Sequence, residues 1–447
     1  MIKQKNDKNT DTGTNNIIPW IVFLFSIGIV LISLVSVVFP AIILSSESQI
    51  PGIIGTSPDS FEVGVWAGPL IAVNIIIFLI TILHFKNKLP LTISKFFEKL
   101  FRLEVSKKVT IITIAIVLSA YIIGTVPELQ TEEKWEDFIP MEKRLRESII
   151  SDRFTIEDAI NGNPNYPVFE PHTKYSLLII SEKVFGNFKV IPFLASITLL
   201  LTTYLITTSI TNKRFAGIIA MLVLIQSNIF LSYDTSATYS NFWILFYLLS
   251  LYFVYRFWPL SPIAYILSIP SKALTVVFLP LSLYFILRAN ISRNKKIVLS
   301  ISTSAIIIVG GIAVLSGNIG DVSKNEEFDE KEFWMGFTSF SYQLRFDGLV
   351  ILFLLPLITG LFIASKKGVK HADSLMILIS GMLIIAPFLT AFTNQTNQPY
   401  RFVPLVTFFC NRNRCVIIKK ETRLVLQMSK WILVNHQELL VVHHVQI

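Results

Sequence analysis

Charge is distributed along this chain in clusters, and between the clusters run uncharged stretches of 15 residues or more. Most of these stretches are long enough to cross ~30 Å of hydrocarbon as helices rising ~1.5 Å per residue. Inside hydrocarbon every backbone N–H and C=O must be bonded internally, so repeated runs of this kind commit the chain to an all-α, polytopic transmembrane helix bundle. Composition agrees. Hydrophobic residues make up 52% of the 447 and charged ones 15%, with a mean hydropathy of +0.61, whereas a soluble domain is ~25% charged. A secreted disulfide scaffold, an intrinsically disordered chain and a nucleic-acid-binding domain are excluded, in spite of a net charge of +9.

The candidate spans are 17–44, 63–85, 109–126, 190–210, 215–232, 238–255, 258–271, 273–287, 297–315, 348–364, 374–392 and one that starts near 402, which makes 11 or 12. The first is read as a retained span, because the uncharged run Thr12 to Ser46 is far too long for a signal-peptide core. With the N-terminus inside, the inside segments (1–16, 86–108, 211–214, 256–257, 288–296, 365–373, 410–447) carry 26 Lys+Arg against 7 Asp+Glu, and the outside segments carry 13 against 23. This is the positive-inside asymmetry, and it predicts a cell-membrane protein with a cytoplasmic N-terminus. The basic excess is therefore orientation, with some attraction to anionic headgroups.

Both long loops, Pro127 to Lys189 and Ser316 to Asp347, fall outside and are acidic, so function is expected on the outer face. Glu132 to Ile160 has helix-forming composition with apolar Trp135, Phe138, Ile139, Leu145, Ile149 and Ile150, which suits an amphipathic helix on the membrane surface. Prolines 259, 262, 270 and 280 break spans seven and eight into a short hairpin with Lys272 at its outer tip. There is no Walker A loop, no GxGxxG, no HExxH and no CxxC.

Polar residues at the outer ends of spans are what remains. Glu132, Glu133, Glu136 and Asp137 form an acidic cluster beside Trp135 and Phe138, where aromatic surroundings raise a carboxylate's pKa towards that of a general base; the competing reading is a solvated acidic face. His172 lies in a proline-shaped loop with Glu170 and Lys174, either as a ligand and proton shuttle or simply hydrogen-bonding the loop. Asp234 is the only acid between spans five and six, expensive if buried and cheap if wet. Lys272, and Tyr400 with Arg401 at the mouth of the last span, supply cations suited to a phosphate, with snorkelling as the alternative.

Taken in order, these pieces resemble the GT-C superfamily of membrane glycosyltransferases, of the protein mannosyltransferase and aminoarabinose transferase type. The residues that carry the resemblance are Trp135, Glu136 and Asp137, then Pro171, His172 and the run ending Phe185–Gly186, then Lys213 and Arg214, then Ser271 and Lys272, and finally Tyr400, Arg401, Phe402 and Pro404. It covers about 109–409. The resemblance implies transfer of a sugar from a polyprenyl-phosphate donor to an outer-face acceptor, with inversion. It makes Glu136, Asp137 or Asp234 the base and has Lys272 and Arg401, with His172 and Tyr400, bind the lipid-linked substrate. It identifies no certain cofactor and is compatible with a divalent metal. Its partners are the donor and membrane lipids, with no nucleic acid. The sequence departs from the family in its two additional spans within 1–108, in an acidic pair that reads Glu-Asp, and in having Asn241 where a second acid would stand.

From Cys410 the character changes. Both cysteines and His436, His443 and His444 lie in 410–447, an atypical tail that reads either as a truncated or frame-shifted end or as a native cytoplasmic segment. The organisation expected is 1–108 as two additional spans with a basic loop, 109–409 as the membrane core, and the tail. A secondary transporter or lipid flippase is the main rival function, followed by a non-enzymatic anchor.

Overall fold

The computed structural model describes residues 17–42, 61–86, 88–133, 139–161, 173–237, 240–315, 328–344, 347–366, 368–393 and 402–410. Among the described residues the fold is entirely helical. Within these residues eighteen α-helices follow one another: α1 Ile17–Val38, α2 Ala67–Phe85, α3 Leu91–Arg102, α4 Lys107–Thr125, α5 Ile139–Ile150, α6 Ile156–Asn161, α7 Thr173–Phe185, α8 Val190–Thr211, α9 Arg214–Ile225, α10 Asn228–Tyr233, α11 Phe242–Arg256, α12 Leu260–Ser268, α13 Leu279–Arg288, α14 Arg293–Leu315, α15 Glu330–Leu344, α16 Gly348–Lys366, α17 Lys370–Thr393 and α18 Val403–Cys410. Among the described residues six helical stretches are long and apolar enough to cross a membrane: Ile17–Val38, Ala67–His84, Lys107–Gln130, Val190–Thr211, Gly348–Lys366 and His371–Phe392. The protein is a membrane protein on that ground.

Local chemistry sets the helix ends. The Ser106 hydroxyl accepts the N–H of Val109 to cap α4, and Ser227 does the same for Phe230 at the start of α10. Asn212 closes α8 in the left-handed region, at φ 55°. The described part of the stretch expected to carry an amphipathic helix, from 139 on, holds two helices, α5 and α6. Asp152 has a positive φ after α5, and Thr155 and Asp158 then form a capping box that starts α6. Leu145 and Ile149 of α5 turn into the core, while Trp135 and Phe138 lie outside the described residues.

Tertiary packing joins helices distant in sequence. α1 packs on α15, α16 and α17, and α2 on α16. α8 lies between α9 and α11, α12 packs on α11, and α13 bridges α14 and α17. Short α18 sits between α9, α10, α16 and α17, and every side chain from Phe402 to Phe409 is buried. α17 is the most enclosed span, with 76% of its apolar window buried against 17% for α2 and for α4. Those two carry rows of exposed isoleucines, among them Ile71, Ile75, Ile111 and Ile116, which is tolerable only where lipid replaces water. Polar groups inside the bundle find partners on other helices: Ser26 and Ser380 share a hydrogen bond of 3.1 Å, and Ser36 donates to the Phe337 carbonyl at 2.8 Å.

Candidate functional site

Polar contacts between loops gather at two opposite sets of helix ends. One set joins the end of α4, the stretch around α5, the starts of α7 and α8, the 234–241 loop and the 269–272 turn. After α4 the chain tightens into a 3-10 turn, Val126–Gln130, with Pro127 at its start, where the missing N–H costs nothing. From this turn Glu128 accepts a bond from the Thr235 hydroxyl at 3.3 Å, and a few residues on Glu133 accepts the Ala237 N–H at 2.7 Å. Lys189, at the entrance to α8, donates to the Thr131 carbonyl at 2.8 Å, while the Asn187 amide donates to the Leu129 carbonyl at 3.0 Å. Glu133 is 5% exposed and Lys189 4%, so an acid and a cation are both taken out of water here. Burial of that kind is tolerated only with hydrogen bonds in place.

Asp234 lies deeper and is 1% exposed. The Tyr121 hydroxyl of α4 donates to its Oδ2 at 2.9 Å, and the Ser196 hydroxyl of α8 donates to its backbone carbonyl at 2.7 Å. Asn241 stands beside it, its amide donating to Ser196 Oγ at 3.2 Å and to the Tyr233 carbonyl at 3.4 Å. Asp234 is thus the buried, expensive form of the two that the sequence left open, held by three helices.

Lys272 ends the turn after α12, and its carbonyl accepts both the N–H and the hydroxyl of Thr275, starting the 3-10 segment Ala273–Phe278. Two residues earlier the Pro270 carbonyl accepts the N–H of Thr173 at 3.0 Å. This bond ties the start of α7, directly after His172, to the turn that carries Lys272. Next along α7, Lys174 stacks over the Tyr175 ring at 4.7 Å from its centre. Glu142 of α5 faces the same region, and its carboxyl is raised above the ordinary 4.5 by burial first and then by Glu133, with Lys189 and Arg146 pulling it down. The cleft lined by Glu142, Lys174, Tyr175, Phe188 and Ala237 encloses only about 10 Å³, room for one water molecule.

Of the residues chosen from the sequence as catalytic or substrate-binding, Asp234 and Lys272 are described, as are Glu132 and Glu133 of the acidic cluster and Lys174. Glu136, Asp137, His172, Tyr400 and Arg401 lie outside the described residues, as does 411–447. Their described neighbours are Glu133, Thr173 and Phe402. The helix that follows Phe402, α18, packs on α10, which leads directly into Asp234. Sequence reasoning did not single out Tyr121, Glu128, Glu142, Lys189 or Asp347. Lys189 carried a signal, being a cation at an end of a span where the charge asymmetry expects none. Asp347 also carried one, as an acid placed directly before an apolar run. It is buried, and accepts bonds from the Ser227 hydroxyl at 2.8 Å and from the N–H groups of Asn228 and Ile229, capping α10 from a helix 120 residues away. Burial raises its carboxyl above the usual range, and those three donors restrain the shift. Among the described residues no group of three His, Cys, Asp or Glu side chains is placed to hold a metal ion.

Comparison with family models, with curated proteins and with solved structures gives no match.

Proposed function

We propose that the protein is a membrane glycosyltransferase of GT-C type that moves a sugar from a polyprenyl-phosphate donor to an acceptor on the outer face of the cell membrane. In this reading the shorter apolar helices Arg214–Ile225, Phe242–Arg256 and Thr275–Arg288, together with α12, α14 and α18, supply the further crossings, for 11 or 12 in all, with a cytoplasmic N-terminus and an amphipathic outer loop. The supporting observation is the set of bonds Glu133 to Ala237, Glu128 to Thr235 and Pro270 to Thr173. Together they gather at one end of the bundle the segments from which the sequence drew its acids and one of its cations.

The chemistry balances with these groups alone. A carboxylate accepts the proton of the acceptor hydroxyl, the acceptor oxygen bonds to the anomeric carbon, and the bond from that carbon to the phosphate oxygen breaks. Lys272 and Arg401 meet the charge that develops on the departing polyprenyl phosphate, where a low dielectric strengthens each cation's effect. Asp234 is enclosed and already takes the Tyr121 hydroxyl. That favours Glu136 or Asp137 as the acid meeting the acceptor, with Asp234 organising the loop.

The rival, a secondary transporter or lipid flippase, has one observation in its favour, the ion pair between half-buried Arg288 and buried Asp373. Both residues stand at helix ends, Arg288 closing α13 and Asp373 in the first turn of α17, whereas a transport pathway keeps its ionisable groups near mid-membrane.

The test is transfer of labelled sugar from polyprenyl-phosphate donors by the purified protein. Glu136→Gln or Asp137→Asn should abolish transfer and leave donor binding nearly intact, and Lys272→Ala should weaken both. Full transfer by both acid variants, or donor-independent substrate uptake into proteoliposomes, would overturn the reading.

A further inference from the structure

The opposite set of helix ends holds a feature that sugar transfer does not use. A cavity of about 690 Å³ opens there, lined by Glu104, Asn212, Lys213, Arg214, Tyr255 and Arg256. Three cations face one carboxylate, and the volume is that of a small-ligand site. One wall is the linker that follows α3. Glu104 accepts the backbone N–H of Arg214 at 3.1 Å, and the Arg214 guanidinium donates to the Val105 carbonyl at 3.3 Å.

α3 itself is unlike the other helices. Its sequence LTISKFFEKLFR places apolar residues at 93, 96, 97, 100 and 101, the spacing of one helical face, with Lys95, Lys99 and Arg102 on the other side. On the apolar face Ile93 is 42% exposed and Phe96 62%. The chain enters α3 from α2 and leaves it into α4, both long enough to span. With only residues 86–106 between these two spans, α3 must stay at a single membrane surface. Segment 86–108 carries seven Lys+Arg against two Asp+Glu.

We infer that α3 and the adjoining cavity form a binding site for an anionic phospholipid, whose acyl chains lie along the apolar face of α3 and whose headgroup phosphate sits between Lys213 and Arg256. An amphipathic helix with a basic polar face suits an anionic leaflet. The cavity adds what the helix alone lacks, converging donors at headgroup depth: a guanidinium that meets phosphate oxygens in a fork and an ammonium as a point charge.

The full-length protein in detergent is titrated with phosphatidylglycerol, with phosphatidylcholine or with inorganic phosphate, and retained adducts are read by native mass spectrometry. Phosphatidylglycerol should be retained about tenfold better than phosphatidylcholine, in keeping with the attraction of a few cations for an anionic headgroup. The double variant K213Q/R256Q should bring the two lipids to parity, while K295Q, a basic change elsewhere at the same helix ends, should leave the preference unchanged. Equal retention of the two lipids by the unaltered protein overturns the inference without recourse to any variant. So does an undiminished preference in K213Q/R256Q, or full displacement by millimolar phosphate, which would assign the cavity to a free anion.

Discussion

Tyr121 and Asp234 show what a single buried polar pair contributes to this bundle. Both are buried, and the hydroxyl donates to one carboxylate oxygen, Oδ2. Tyr121→Phe leaves the carboxylate without that donor and should cost about 1–3 kcal/mol, seen as a lower midpoint in chemical unfolding of the detergent-solubilised protein. Combined with Asp234→Asn, the losses should fail to add, because both substitutions break one bond. Glu142 supplies a pH dependence. Its folded carboxyl is raised, chiefly by burial and by Glu133, so the folded protein takes up a proton before the unfolded chain does. Its contribution to stability is therefore complete below about 4.5, the ordinary glutamate value, and is lost as pH rises through the raised folded value. Thermal midpoints should climb as pH falls through that window, and Glu142→Gln should flatten the climb while being no less stable at pH 8. A parallel profile in the variant would remove Glu142 as the cause.

Between elements, distance of approach matters more than polarity. Gly336 of α15 lies against the backbone of Pro387 in α17, and a Cβ there would press on main chain that has no rotamer with which to yield. Gly336→Ala should lower stability by about 1–3 kcal/mol through overpacking. Gly28 of α1 has nothing within 4 Å of its Cβ position, so Gly28→Ala should be neutral or add up to about 1 kcal/mol from helix propensity. Thermal unfolding of the two variants side by side checks the contrast. A similar closeness lets α8 and α9 pack at Gly217, whose Cβ would meet the Tyr204 carbonyl at 2.8 Å. Asp347 works at the same scale, because its carboxylate caps α10 and so joins the starts of two helices that the sequence separates widely.

Over the whole molecule, loop contacts and charge divide the chain in the same way. Bonds of segment 127–189 run to Thr235, Ala237 and Pro270. The basic segments meet one another instead: Arg214 bonds Glu104 and Val105, Tyr255 bonds His371, and Arg288 pairs with Asp373. Lys366 also lies over the Trp20 ring at 5.3 Å. If the basic side is cytoplasmic, a single cysteine replacing exposed Ser151, with Cys410 and Cys415 changed to serine, should react with a membrane-impermeant maleimide on intact cells. Protection at that position, with labelling only after permeabilisation, would invert the orientation.

The membrane class and the helical fold were legible in the sequence, since each follows from properties summed locally along the chain. Transfer of an apolar run into hydrocarbon and retention of cations on one side depend on no distant residue. The partners of each helix were not legible. A span surrounded by lipid is apolar on every side, so its core-facing stripe carries little contrast with its lipid-facing one. That α1 packs on α17, that α18 fills the centre, and that α2 and α4 face outward were settled by tertiary packing. The candidate site divides the same way. Lys272 and Asp234 stood out as isolated charges beside apolar runs, but the burial of Asp234 under Tyr121, and the meeting of Glu133 with Ala237 and of Thr173 with Pro270, exist only once helices far apart in sequence bring their ends together.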